Sequence, residues 1–200
     1  MVLMSSKFQT KDWRNMQEWY SNGKRNECEL FQMKEIQALV GSPIEKTNMR
    51  LNLLDFNLHN ICNPLNSKFG LGYTENMDGK TETNGATLYF NLKMICSMGG
   101  AQTRSIREVS HFIFAQHQFI KKNLNSKIYF ANILDGDCSY KFVYGNYENG
   151  KASLRDIQTL EEFQCCLGRI YIGDLYNFKS WFDGLQLGEN VIENSKCEVE

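Results

Sequence analysis

Apolar positions recur three or four residues apart in two long segments of the chain, which is the spacing of one helical face. Residues 27–40 form the first predicted helix, and Gly41-Ser42-Pro43 predicts its end because glycine and proline do not continue a helix. Residues 101–124 form the second predicted helix. Its apolar face consists of Ile106, Val109, Ile113 and Ile120. The shorter segment 11–20 is also predicted to be helical.

Runs of aromatic and β-branched residues predict the strands of a sheet. The most apolar run, residues 87–96 (TLYFNLKMIC), has the composition of a central strand, and residues 127–134 (KIYFANIL) follow the long helix. Shorter strands are predicted at 140–144 and 169–172. Residues 66–85 carry four glycines and many polar side chains, so we expect a loop there.

Two further helices complete the predicted order of elements. One starts at the capping-box sequence Ser153-Leu154-Arg155-Asp156 and runs to about residue 166, and the other follows Asp174 through residue 182. The alternation of strands and helices predicts an α/β fold, in which helices flank a mixed central sheet. We expect an N-terminal helical arm or subdomain (1–60) before an α/β core (61–200), or one domain over 1–200.

Composition and charge exclude several classes of protein. Hydrophobic residues make up 42% and charged residues 22% of the chain, which excludes wholesale disorder. The 22 Lys and Arg residues against 23 Asp and Glu give a net charge of −1. This balance excludes a strongly basic protein that coats nucleic acid by charge alone. A balanced protein can still carry a basic cleft, so an enzyme acting on nucleic acid is compatible with the composition.

Cysteine usage and hydropathy predict the compartment. The seven cysteines are odd in number and contain no C-x-x-C pair, which argues against a disulfide framework and a structural zinc site. We therefore expect reduced thiols in an intracellular, cytoplasmic protein. The opening MVLMSSKFQTKD reaches charged residues too early for a signal peptide, and no run of 18 apolar residues occurs. No association with a membrane is predicted.

The first candidate site combines Asp78 with the triplet Asn91-Leu92-Lys93 of the most apolar strand. Residues 91 and 93 lie on one face of a strand, and a lysine there needs a carboxylate or a phosphate beside it. Hydrolysis of a phosphodiester needs a carboxylate that holds Mg²⁺ and a cation near the attacking water. Asp78 and Lys93 have these chemistries. The alternative is a loop aspartate and a lysine that reaches solvent from an edge strand.

The second candidate site is a glycine pair and the first turns of the helix that follows. Glycines at this position let a phosphate approach the backbone, and the free N–H groups of the helix attract an anion. Arg104 and Arg107 oppose the helix dipole, so their charge favours contacts with DNA. The alternative is a solvated face with an Arg104–Glu108 ion pair. The predicted DNA-binding residues are Gly99, Gly100, Gln102, Arg104, Ser105 and Arg107.

This order of motifs resembles a known family of nucleases. An Asp in a turn, a strand ending in x-x-Lys, a polar loop and a helix are similar to the core of the PD-(D/E)XK nucleases. The run GGAQTRSIREVSHFI, followed by YFANILDGD, resembles a segment of some type II restriction endonucleases, and the similarity covers about residues 70–182. It implies a restriction-endonuclease-like core, Mg²⁺ as the cofactor, Asp78 as the first metal ligand and Lys93 as the catalytic lysine. It also implies double-stranded DNA as the substrate and a homodimer that cuts both strands.

The triplet departs from the family pattern, because Asn91 stands where an acid is expected. Asn can donate a carbonyl oxygen to Mg²⁺ but carries no charge. The family offers one replacement in the following helix, where Glu108 lies fifteen residues beyond Lys93. The other replacement is Glu75, three residues before Asp78. We expect Glu108 to complete the catalytic set and to share the metal with Asp78 and Asn91. The remaining interpretation is that Asn91 marks an inactive relative.

Three functions stay open. The first is a sequence-specific, Mg²⁺-dependent endonuclease of a restriction system that hydrolyses double-stranded DNA. The second is a catalytically inactive nuclease-like domain that binds DNA or a protein, and the third is a repair-type nuclease without a fixed sequence. The chain has no G-x-S-x-G, P-loop or G-x-G-x-x-G motif, so acyl transfer and hydrolysis of nucleoside triphosphates lack support. Asp135-Gly136-Asp137 could bind a cation, although such sequences more often form a turn.

Overall fold

A computed structural model describes the chain over residues 3–21, 26–63, 72–97, 100–143 and 168–187. The strands are β1 (Met49–Leu51), β2 (Leu58–Asn60), β3 (Gly79–Thr83), β4 (Ala86–Met94), β5 (Ile128–Asp135) and β6 (Ile170–Gly173). The helices are α1 (Lys11–Asn15), α2 (Glu27–Val40), α3 (Gly100–Lys122), α4 (Asp137–Val143) and α5 (Leu175–Leu187). A short 3₁₀ turn, Ser6–Phe8, precedes α1.

The centre of the fold is a four-stranded sheet in the order β3-β4-β5-β6. β3 runs antiparallel to β4, whereas β4, β5 and β6 are parallel to one another. The sheet is therefore mixed, and the protein is of the predicted α/β class. β1 and β2 form a separate antiparallel hairpin. Over the described ranges, no helix combines the length and apolarity that crossing a membrane requires.

Helices cover both faces of the sheet. Successive residues of a strand point to opposite faces, so β4 contributes to two separate apolar clusters. Leu88 and Phe90 pack in one cluster with α2 and α5, where Phe178 is fully buried. Tyr89 packs in the other cluster with α3 and the β1–β2 hairpin, which contributes Leu51. The carboxyl end of β4 therefore lies between α2 on one face and α3 on the other.

Two tight turns fix the sheet. Asn84 and Gly85 connect β3 to β4 with φ angles of +50° and +72°, as a two-residue hairpin of type I′ requires. Gly136 follows β5 with φ +93°, and a Cβ atom there would lie 2.3 Å from the Ile95 carbonyl oxygen. Only glycine fits this position, because any side chain would collide with rigid backbone.

Most of the predicted elements are confirmed. The helix predicted at 27–40 has the same bounds, and its Gly41 adopts the left-handed φ of +69° that ends a helix. The two long strands and the long helix are confirmed within a few residues, and so is the short strand near the end of the sheet. Asp174 caps α5 as predicted, since its Oδ1 accepts a hydrogen bond from the Asn177 N–H.

Two predictions are wrong, and one lies outside the described residues. The strand predicted at 140–144 falls in α4, which starts directly after the Gly136 turn and buries Cys138 and Ser139. The segment 66–85, predicted as a loop, contains β3, a polar edge strand that forms by pairing with β4. The helix predicted at 153–166 lies outside the described residues.

Candidate active site

Asp78 is fixed against the edge of β4. It directly precedes β3, and its backbone N–H donates to the Phe90 carbonyl oxygen over 2.8 Å. Its carboxylate oxygen Oδ2 accepts a hydrogen bond from the Leu92 N–H over 2.7 Å. These two bonds hold the half-buried carboxylate beside the end of β4 that carries Lys93.

Lys93 interacts with two carboxylates. Its Nζ lies 4.0 Å from Oε2 of Glu75, and its own side chain is only 19% exposed. Its positive charge also lowers the pKa of Asp78. The structure therefore brings together three residues that were candidates on sequence grounds, Asp78, Glu75 and Lys93.

Asp78 has a raised pKa of about 6 despite the neighbouring lysine. Burial is the largest cause, because it disfavours the charged form of the carboxyl group. The charge of Lys93 and the hydrogen bond from Leu92 oppose this effect, whereas Glu29 and Glu75 raise the pKa further by repulsion. Two other carboxylates, Glu29 and Glu75, therefore act on Asp78, together with the charge of Lys93.

A cavity of about 360 Å³ opens beside Asp78 at the start of α2. Its lining is polar and rich in side-chain oxygen atoms. The lining residues are Asn26, Glu29, Lys46, Thr47, Asn48, Asn76 and Asp78. Sequence reasoning missed Glu29 because an acid in the first turn of a helix is common, as it complements the helix dipole. No sequence pattern links it to Asp78, which lies 49 residues later.

The donor groups of this cavity fit Mg²⁺. In proteins this ion is typically bound by one or two carboxylates and keeps several of its waters. Asp78 and Glu29 supply two carboxylates, whereas Oδ1 of Asn76 accepts a hydrogen bond from Arg50 over 3.4 Å. Within the described ranges, no group of three or more His, Cys, Asp or Glu side chains is arranged to hold a metal ion. Water would therefore complete the coordination of an ion held here.

Asn91 occupies a different environment from that of Asp78. Its side chain is 1% exposed, and its Nδ2 donates to Oδ1 of Asn132 over 3.0 Å. Asn132 in turn exchanges two hydrogen bonds with Gln116 of α3, at 2.8 and 3.1 Å. The Oδ1 atom of Asn91 has no hydrogen-bond partner among the described residues. The amide of Asn91 is thus held between the sheet and α3, and its role as a metal ligand stays a prediction.

The acid and the arginines predicted from α3 lie along its first turns. Glu108 is half-buried, and among the described residues it forms no hydrogen bond or ion pair with Asp78 or Lys93. The carboxylates that raise the pKa of Asp78 are instead Glu29 and Glu75. Arg104 and Arg107 are exposed.

The remaining residues predicted to bind DNA are less completely described. Ser105 is half-buried, and Gly100 is the first residue of α3. Gly99 and the side chain of Gln102 lie outside the described part of the structure.

Comparison with known proteins gives no neighbour. No family model, no curated protein and no solved structure matches this chain.

Proposed function

We propose that this protein is a Mg²⁺-dependent endonuclease that hydrolyses phosphodiester bonds of double-stranded DNA. Two observations at Asp78 support the proposal: the Lys93–Glu75 pair lies near this carboxylate, and Asp78 lines a polar cavity together with Glu29. Both chemistries that phosphodiester hydrolysis needs, acidic oxygen ligands and a held cation, meet there.

Each residue has a distinct role in this proposal. Asp78 and Glu29 hold Mg²⁺, which supplies charge stabilisation at the phosphoryl oxygens and lowers the pKa of a bound water. Lys93 orients the attacking water and stabilises the negative charge that develops on the phosphate. Glu75 restrains the position of the Lys93 ammonium through their 4.0 Å ion pair. The pKa of Asp78 implies that it is mostly ionised, and able to bind metal, above about pH 6.

We further propose that the enzyme recognises a fixed sequence and cuts both strands. The resemblance to type II restriction endonucleases supports them, as do the exposed Arg104 and Arg107 at the start of α3. Arginine can bond guanine edges with two hydrogen bonds. A homodimer would place two sites on a palindromic target. The described cysteines 28, 62, 96 and 138 are unpaired thiols, which fits an intracellular enzyme.

A second candidate function follows from the environment of Asn91. The position at which the family carries an acid is here an amide bonded to Asn132 and remote from solvent. In a nuclease-like domain that only binds DNA or protein, loss of this acid would have removed metal affinity. The cavity carboxylates Asp78 and Glu29 are the reason we favour the enzyme.

The test is cleavage of a mixed-sequence supercoiled plasmid in millimolar Mg²⁺, beside EDTA and Lys93→Ala controls, with sequencing of all ends. Discrete fragments lost in both controls support the endonuclease. A smear lost in both controls indicates a nuclease without sequence specificity. An intact plasmid that still shifts on a gel indicates the binding domain. Glu29→Gln and Glu108→Gln, compared in parallel, identify the acid that acts with Asp78, and we expect the larger loss from Glu29→Gln.

A further inference from the structure

The solvent face of α3 carries a stripe of exposed side chains that is basic near both ends of the helix. Arg104, Arg107, His111, Phe114, Lys121 and Lys122 are its exposed side chains. The first five are three, four, three and seven residues apart, and Lys122 directly follows Lys121, so all six lie along one side of the helix. From residue 104 to residue 121 the stripe is about 26 Å long at 1.5 Å per residue. That length matches about eight base pairs of duplex at 3.4 Å each.

The stripe is more basic than the chain as a whole. The whole chain has a net charge of −1, yet the only acid in α3, Glu108, is half-buried. Arg104 and Arg107 also occupy the first turns of the helix, where positive charge opposes the helix dipole. Lys121 and Lys122 lie in the last turn, where positive charge complements the dipole, so helix stability fails to account only for the two arginines. A polyanion laid along the helix accounts for them.

An apolar projection, which we call the knob, lies at the middle of the stripe and consists of Leu54, Phe56 and Phe114. Phe114 is 43% exposed and packs edge to face with Phe56, the ring centroids 5.7 Å apart. Phe56 belongs to the turn between β1 and β2 and has φ +55°, a strained angle for a residue with a side chain. Next to it, Leu54 is 68% exposed.

The turn that carries the knob is firmly built. Oδ1 of the fully buried Asn52 accepts hydrogen bonds from the N–H groups of Leu54 and Asp55, at 2.8 and 2.9 Å. Lys122 ties the turn to α3, because its Nζ donates to the Asp55 carbonyl oxygen over 2.9 Å. The same Nζ lies 5.2 Å from the centre of the Phe56 ring. Strain at Phe56 and exposure of Leu54 thus persist in a rigid turn.

We propose that the basic stripe and the knob together form a docking surface for the backbone of duplex DNA. This inference rests on the proposed function and extends its DNA contacts from the first turns of α3 to the full helix. The cationic side chains contact phosphates on either side of the knob, and the apolar atoms of Leu54 and Phe114 pack against sugars between them. A second copy of the chain is the poorer occupant, because a symmetric contact would set one basic stripe against another.

The test is fluorescence anisotropy of a labelled duplex of mixed sequence, titrated in EDTA at several salt concentrations so that no cleavage occurs. The double variant Arg107→Gln/Lys121→Gln should weaken binding at least about tenfold and reduce the slope of log K against log salt by about 2. Leu54→Ser should weaken binding severalfold and leave that slope unchanged. Lys179→Gln, on α5 at the opposite face of the sheet, is the matched control, and its slope should equal that of the wild type.

Two results would overturn the docking surface. One is a double variant whose salt slope equals that of the wild type. The other is a wild-type dimer, seen by sedimentation, that the double variant converts to a monomer, because the stripe would then face a second copy. The experiments distinguish a wrong docking surface from a wrong catalytic proposal. Plasmid cleavage with an unchanged salt slope rejects only the surface, and a reduced slope without Mg²⁺-dependent cleavage rejects only the catalytic proposal.

Discussion

Asp78 and Asp135 are two acidic residues at strand ends of one sheet, and burial raises the pKa of both. Asp135, at the end of β5, is fully buried with a pKa of about 7. Its two carboxylate oxygens accept hydrogen bonds from Nε2 of Gln32 at 2.7 Å and from the Leu175 N–H at 3.2 Å. Asp78 has a pKa of about 6, accepts one hydrogen bond from Leu92 and borders a cavity.

The surroundings of Asp135 make it part of the fold and not of a site. The N-terminal segment covers it, and Gln9 of that segment accepts a hydrogen bond from the Gly136 N–H through its Oε1. Ser6 of the same segment donates hydrogen bonds to Oδ2 of Asp174 through its N–H and its hydroxyl, at 2.9 Å each. Gly136 adopts the φ of a turn, in agreement with the turn interpretation of residues 135–137. A raised pKa alone therefore does not identify a site, and we favour Asp78 because it also lines a cavity.

Substitutions in the two regions should differ most in their effect on the rate of plasmid cleavage. Lys93→Ala should reduce the rate of plasmid cleavage at least about a thousandfold, because the variant loses the cation that stabilises the phosphoryl charge. Asp135→Asn should stay within about tenfold of the wild-type rate, since it only alters packing beneath the sheet edge. Initial rates of nicking in Mg²⁺ measure both effects. Similar losses in the two variants would contradict the assignment of Asp78 and Lys93 as the site.

A smaller difference is expected in the pH dependence of stability. A carboxylic acid whose pKa is raised on folding stabilises the fold fully below its unfolded pKa and loses that contribution as the pH rises through its folded pKa. For Asp135 the window runs from about 4 to about 7, and the loss should be about 2 to 4 kcal/mol in the free energy of unfolding. Urea unfolding across this window should show that Asp135→Asn removes most of the fall. An equal fall in wild type and variant would disprove the coupling.

The smallest effect is expected from Asp78 in the absence of metal. Asp78→Asn should raise the free energy of unfolding by about 1 to 2 kcal/mol above the folded pKa, because a half-buried charge is removed and the acceptor for Leu92 is retained. The measurement is urea unfolding in EDTA about two pH units above that pKa. An active-site carboxylate is expected to lower the stability of the fold. A decrease in the free energy of unfolding in Asp78→Asn would therefore count against the assignment of Asp78 to the site.

The sequence predicted the core elements because their signal is local. Apolar spacing defines α2 and α3, and apolar composition defines β4 and β5. The edge strand β3 was missed because it is polar, and its signal was the Asn84-Gly85 hairpin turn that follows it. The aromatic run at 140–144 predicted a strand, but the Gly136 turn and burial of Cys138 favour a helix.

The candidate site likewise contains residues that could be predicted from the sequence and residues that could not. Asp78 and Lys93 were predictable, because a lysine in an apolar strand needs an anionic neighbour. Glu29 was not predictable, because its contact with the cavity depends on the packing of α2 against the sheet. The confinement of Asn91 by Asn132 is likewise a product of the tertiary structure.

The position of the metal site can be tested by thermal unfolding with and without Mg²⁺. At about ten times its Kd, Mg²⁺ should raise the Tm of the wild type by roughly 3 to 5 °C, because an ion bound only by the folded state stabilises it. Asp135→Asn should show the same rise, and Asp78→Asn and Glu29→Gln should show none. A rise retained by Asp78→Asn, or lost in Asp135→Asn, would contradict the placement of the metal site at Asp78.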